Sequence, residues 1–260
     1  MTNRIKLWFD ILRPWLKPFV LLLLFLMLSV NADAQRRRGR ARPHRRTAVS
    51  NRSSARHRSG GNHHQQRMAQ FDRDNDIDTA TIVMLGNSLT ENGRDWQERL
   101  GTTKHVVNRG IIGDNTVGMR ERLYQIAPFR PKAIFLMAGI NDMVGNTSYE
   151  QVAQHVITLI EAIRSQAPET QLFVQSILPI DETDGRWRTL AGRTDDIPFA
   201  NMLIKAYCET HGITFIDIFH RMTRGRSNQL RAELSGDGLH LTEQGYRVWA
   251  FELRRYIERL

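Results

Sequence analysis

From Ile77 onward the chain alternates between short unbroken apolar runs and longer stretches whose apolar residues recur every three or four positions. The runs are Thr81–Leu85, the brief Val106-Val107, Ala133–Met137, Leu172–Val174 and Ile213–Ile216. Runs without polar alternation suit central parallel strands covered on both faces. Between them, Val152, Val156, Leu159, Ile160 and Ile163 fall at helical spacing, behind a candidate capping box of Thr147 and Glu150. Met202, Ile204, Tyr207 and Cys208 mark another helix, and Trp249, Leu253, Tyr256, Ile257 and Leu260 a last one. Repeated β-α alternation predicts an α/β fold, a three-layer α/β/α sandwich around a five-stranded parallel sheet.

In such a sheet, ligands sit beyond the carboxyl ends of the strands. The first run breaks off into Gly86-Asn87-Ser88-Leu89-Thr90, and the second leads into Asn108-Arg109-Gly110-Ile111-Ile112-Gly113-Asp114. The third leads into Gly139-Ile140-Asn141-Asp142, and the last pre-helix loop is Asp237-Gly238-Leu239-His240-Leu241-Thr242. A serine hydroxyl becomes a useful nucleophile only with a base in reach and a third group to orient that base. Ser88, His240 and Asp237 fit those three parts. An oxygen that gains negative charge also needs donors. The Gly110 backbone N–H, the Asn141 side chain and the Ser88 backbone N–H are the candidates. Singly, each residue has a plainer reading: Ser88 as a helix cap, the glycines and the Asn141-Asp142 and Asp237-Gly238 pairs as turns. Their joint placement at one predicted sheet edge favours chemistry. His105, His155, His211 and His220 are competing bases, and His220, three residues after Asp217, is the nearest rival.

The stretches GNSLT, NRGIIGD, AGIND and DGLHLT resemble, in order, the four blocks of the SGNH hydrolase superfamily, the GDSL-type lipases and esterases. The resemblance runs from about Thr81 to the C-terminus. It implies a flavodoxin-like fold and ester hydrolysis through an acyl-enzyme. Ser88 matches the nucleophile, Gly110 and Asn141 the oxyanion donors, and Asp237 with His240 the remaining pair. No metal or cofactor is implied. Asn87 stands where the family usually has aspartate, which removes a charge beside the serine. The pattern looks most like the branch of platelet-activating-factor acetylhydrolase-type and carbohydrate acetylesterase members. That implies a short acyl group, often acetyl, leaving from a sugar or another alcohol.

A long loop from Asp181 to Pro198 follows the fourth run, where substrate selection is usually made. Trp187 is a candidate to stack on a sugar ring, and Arg188, with Arg186 and Arg193, to meet an acidic one. Core cover for Trp187 and solvation for the charges are equal alternatives. For Trp96 and Arg94, near Ser88, packing is the expected role.

The formal net charge of +10 is concentrated. Gln35 to Arg67 holds eleven arginines and no acidic residue, and the remainder beyond it carries a small excess of acid. Residues 35–70 have too few apolar groups to offset chain entropy, which predicts disorder and a hydrolase domain spanning 71–260. The arginines suit adhesion to an anionic envelope polymer or a solvated tether. They lack the interleaved aromatics of a single-strand binder, so no specific nucleic acid is expected. His44, His57, His63 and His64 match no closed metal site, and solvated side chains are expected there. Residues 1–34 combine a basic start, an apolar stretch Phe19–Leu28 and Ala32-Asp33-Ala34. They predict a signal peptide cleaved after Ala34 and export to the periplasm or beyond. An anchor over 18–34 is the alternative, although the apolar run is short for a span. Cys208, the only cysteine, leaves no internal disulfide. Two functions remain: an exported serine esterase acting on acylated carbohydrate, or a catalytically silent envelope-binding protein. The complete set Ser88, Gly110, Asn141, Asp237 and His240 favours the esterase, since a binder needs none of the five together.

Overall fold

The computed structural model describes residues 51–260. Its centre is a five-stranded sheet, all parallel, in the order β2-β1-β3-β4-β5. The strands are β1 Ile82–Gly86, β2 Val106–Gly110, β3 Ala133–Leu136, β4 Gln171–Gln175 and β5 Thr214–Ile216. Every β1 and β3 residue is buried, as the unbroken apolar runs require of strands covered on both faces. Each expected strand is present: β2 runs three residues past Val107, and the other bounds shift by at most one residue.

Helices cover both faces, completing the expected sandwich. α4 (Thr116–Glu121), α5 (Tyr149–Gln166) and α6 (Asp196–Thr210) pack in series on one face. α3 (Trp96–Leu100) and α7 (Phe219–Met222) pack on α8 (Glu243–Ile257) over the other. The split follows from handedness. The chain steps one way from β1 to β2 and the other way through β3, β4 and β5, and right-handed crossovers then place the connecting helices on opposite faces. Val152, Val156, Leu159, Ile160 and Ile163 form the buried stripe of α5 as expected. Its capping box is Ser148 with Gln151 rather than Thr147 with Glu150. Both pairs satisfy the sequence rule, and the register of the first turn selects the second. Trp96, expected to pack, is fully buried edge-on against Trp249 and Tyr246. Cys208 is buried on α6.

The N-terminal side departs from expectation. Residues 51–70, expected to be disordered, lie in a helix, α1 (Asn51–Arg73), so the described unit begins at Asn51. Its last turns dock. Phe71 is buried, with the guanidinium carbons of Arg67 and Arg109 at 4.5 and 4.6 Å from its ring centre and that of Arg122 at 5.9 Å. Gln125 Nε2 donates to Met68 O at 3.2 Å and to Asp72 Oδ1 at 2.6 Å. One aromatic ring amid basic residues supplies what average composition hides: a face on which guanidinium groups stack. The signal-peptide and anchor segments and residues 35–50 lie outside the described residues. Among the described residues, no helix is long and apolar enough to cross a membrane.

One buried ion pair fastens the strand ends. Arg122 is fully buried and donates through Nε to Asp114 Oδ2 at 2.7 Å. Its Nη2 donates to Gly86 O at 3.0 Å and to Arg109 O at 2.9 Å, the ends of β1 and β2. Arg122→Met should leave Asp114 buried without its guanidinium partner and cost about 3–5 kcal/mol. The shift of a guanidinium-chloride unfolding midpoint measures it.

Candidate active site

β1 and β3 are neighbours, while the chain reverses its stepping direction around β1. The crevice at the ends of these two strands is the topological switch point, where open α/β sheets bind ligands. Ser88 and Asn141 follow those two strands.

Ser88 opens α2 (Ser88–Glu91), a helix of four residues. Asn87 caps it, its Oδ1 accepting from Leu89 N at 3.0 Å. The asparagine therefore performs the capping that an aspartate at this position would perform, without the charge. Gly86 has to be glycine, because a Cβ there would lie 2.0 Å from Thr90 Oγ1. The carbonyl end of α2 is held by side chains from three other elements. Trp96 Nε1 and Asn108 Nδ2 donate to Thr90 O, both at 2.9 Å, and the Tyr246 hydroxyl donates to Leu89 O at 2.8 Å.

The three residues expected to act together are together. His240 Nε2 faces Ser88 Oγ at 3.1 Å, across 152 positions of sequence. His240 Nδ1 faces Asp237 Oδ2 at 2.9 Å. The other carboxylate oxygen of Asp237 accepts the backbone N–H groups of His240 at 2.7 Å and Leu239 at 3.0 Å. Burial pushes the Asp237 pKa up, but the hydrogen bonds from the His240 ring and these amides outweigh it and hold the carboxyl below its ordinary value. The tautomer with hydrogen on Nδ1 leaves Nε2 free to accept from the serine hydroxyl.

The expected donors are only partly in place. Asn141 Nδ2 donates one hydrogen to Asp114 O at 2.7 Å, which leaves its second hydrogen available and ties the third loop to the second. Gly110 is a correction. Its N–H donates to Asn108 Oδ1 at 2.9 Å and is already used. Gly110 is small for another reason: a Cβ there would sit 2.2 Å from Glu91 N, so it lets β2 pass close to α2. The free amide of this loop belongs to Gly113, which has no hydrogen-bond partner among the described residues and sits at φ +81° in open space. Its neighbour Asp114 supplies the carbonyl that Asn141 grips. Two glycines within four residues gave the only sequence signal, and it does not say which amide is spare.

Two carboxylates brace these loops, Asp142 buried and Glu91 partly exposed. Asp142 accepts from Thr116 Oγ1 at 2.5 Å and Thr116 N at 3.2 Å, joining the third loop to the start of α4. Burial raises its pKa. Glu91 Oε2 accepts from Ile112 N at 2.6 Å, joining α2 to the second loop.

Of the competing histidines, His220 does pair with Asp217 at 2.6 Å, but the pair is exposed and no serine meets it among the described residues. His105 Nε2 faces Asp76 O at 2.8 Å, His155 lies 3.6 Å from Asp142, and His211 stacks on Tyr207. Trp187 stands edge-on to the His240 ring, 5.1 Å between centres, with about a third of its surface exposed. Arg188, the next residue, is exposed. Arg186 donates to Gly236 O at 2.9 Å. Arg193 is bound to Asp196 at 2.9 Å and to Thr147 O. Among the described residues, no group of three or more His, Cys, Asp or Glu side chains is arranged to hold a metal ion.

A family model for the GDSL-like lipase/acylhydrolase family matches residues 84–248, which hold all four loops. The chain belongs to this family. It is therefore a carboxylic ester hydrolase by family. Solved structures show the shared fold. A GDSL-like lipase from Bacteroides thetaiotaomicron VPI-5482 is 20% identical, with 75% of this chain and 97% of that one covered and a TM-score of 0.66. A Streptococcus pneumonia protein proposed to be a platelet activating factor is 23% identical, with 81% and 100% covered and a TM-score of 0.68. A lipase/acylhydrolase from Enterococcus faecalis is 20% identical, with 69% and 95% covered and a TM-score of 0.55. No curated protein matches the sequence significantly.

The low carboxyl pKa of Asp237 fixes the sign of one pH effect. A carboxyl held low in the folded state contributes stability that is fully present above its unfolded pKa of about 4 and is lost as pH falls through the folded value. The stability gap between the wild type and Asp237→Asn should therefore be widest near neutral pH and close below about pH 4. Urea midpoints across an acid pH series measure that gap.

Proposed function

We propose that this GDSL-like hydrolase is a serine esterase that works through an acyl-enzyme on Ser88. The observation that carries the reading is the continuous contact from Asp237 through His240 to Ser88 Oγ. His240 Nε2 takes the hydroxyl proton as Oγ attacks the ester carbonyl. Asp237 holds the ring and stabilises the imidazolium that results. The carbonyl oxygen becomes negative and is met by the Ser88 N–H, the second Asn141 hydrogen and the Gly113 N–H. His240 then returns the proton to the leaving alcohol, activates a water, and the acyl group departs from Ser88.

The substrate is a short acyl ester, acetyl first among candidates, on a carbohydrate or similar alcohol. Trp187 supports this, because its exposed surface lies beside the base and suits a sugar face, and the exposed Arg188 follows it directly in the chain. The resemblance to acetylesterases favours the same class. The sequence of residues 1–34 supports export, and the arginines of 35–50 support contact with an anionic envelope polymer.

The full chain should hydrolyse p-nitrophenyl acetate and take a fluorophosphonate label on Ser88, and Ser88→Ala should abolish both. Retention of full turnover by that variant refutes the mechanism. Asn141→Ala should lower kcat by about 10²–10³, read from the same assay, whereas His220→Ala should leave kcat unchanged.

A further inference from the structure

Helix α1 precedes the region matched to the family, yet it reaches the loops of the active site. His63 Nε2 lies 2.8 Å from Glu91 Oε1, and Arg67 Nε lies 3.5 Å from the same oxygen. Arg67 Nη2 donates to Gly110 O at 3.2 Å. His64 Nε2 stands 3.7 Å from Asp114 Oδ1. These contacts fall at both ends of the turn 110–114. Glu91 lies between them, one helical turn after Ser88, with its second oxygen on Ile112 N. His63 and His64, expected to be solvated, are half-buried in these contacts.

We infer that Glu91 is a positioning residue for the ester hydrolysis and that α1 is the clamp that holds it. The inference rests on the serine-esterase reading above. Oxyanion stabilisation depends on donors fixed before the reaction begins. The Ser88 N–H sits on a four-residue helix and the Gly113 N–H on a short turn, and neither segment is rigid by itself. Glu91 links the two directly: its backbone belongs to the helix and its carboxylate takes a backbone N–H of the turn. Bonds between a carboxylate and a backbone N–H are of the stronger kind. Arg67 closes the circuit, since one guanidinium reaches both the carboxylate and the turn's first carbonyl. Stacking on Phe71 limits the rotamers of that guanidinium.

The test uses the full chain with Glu91→Ala, Glu91→Gln and Arg67→Ala. Glutamine keeps an oxygen for Ile112 N–H but loses the charge that faces Arg67. With p-nitrophenyl acetate, Glu91→Ala should lower kcat by about 10-fold, less than loss of a donor outright, with KM changed by under about 2-fold. Glu91→Gln and Arg67→Ala should fall between it and the wild type. The hydrogen-bonded backbone amides of the turn, Ile112 and Asp114, should exchange with deuterium faster in the same order, while amides of β3 and β4 stay unchanged. A purely structural carboxylate would lower the melting temperature without this local exchange or the kcat-only effect. Should Glu91→Ala fail to fold, the other two variants carry the same comparison. Unchanged kcat, or unchanged exchange at Ile112 and Asp114 in a folded variant, overturns the clamp. A wild-type chain inert on esters overturns the serine-esterase reading instead, and the exchange measurement still decides whether the clamp exists.

Discussion

A helix of four residues cannot hold itself together, because nucleating a helical turn costs more than so few hydrogen bonds return. α2 carries Ser88, so the whole site depends on what its surroundings impose on that short segment. Asn87 closes its start. Trp96, Asn108 and Tyr246 take up its trailing carbonyls. These side chains come from α3, β2 and α8, so the serine is set by how those three elements pack together. The core next to β1 is in this sense part of the active site.

A second layer of constraint is electrostatic. Arg122 brings a guanidinium to the ends of β1 and β2, where strand carbonyls run out of partners. Asp114 offsets its charge. Replacing such a pair with apolar groups could leave a fold equally stable, but it would not offer directional donors to two carbonyls and anchor the turn between them. Asp142 acts in the same way at the next junction, binding the start of α4. The loops around Ser88 are thus fastened to one another by buried ionisable groups. That leaves the Ser88 N–H, the Gly113 N–H and the second Asn141 hydrogen with no acceptor among the described residues.

The sheet and most helices were legible because unbroken apolar runs and periods of three to four are direct consequences of burial. Ser88, Asp237, His240 and Asn141 were legible because each lies in a segment that follows a strand or leads into a helix, where topology alone brings distant positions to one edge. The errors share a cause. Gly110 and Gly113 look alike in sequence, and only the fold-back of the Asn108 side chain decides which amide is spare. Ser148 and Thr147 compete for one cap, a choice made by a single residue of register. Residues 51–70 read as disordered because composition averages over the segment, whereas docking depends on Phe71 and a few cationic side chains meeting particular acidic partners. Sequence statistics capture periodic patterns well and single long-range contacts poorly.

Cys208 carries a separate consequence. It sits sealed on the buried side of α6, and burial pushes its thiol up to about 12, so at neutral pH it is neither ionised nor reachable. The chain has no other sulfhydryl. Alkylating reagents can therefore mark a molecule only while α6 is lifted away from its neighbours, and each marked molecule records one such opening. The protein contains its own clock for how often its interior breathes, read by mass and independent of any enzymatic assay.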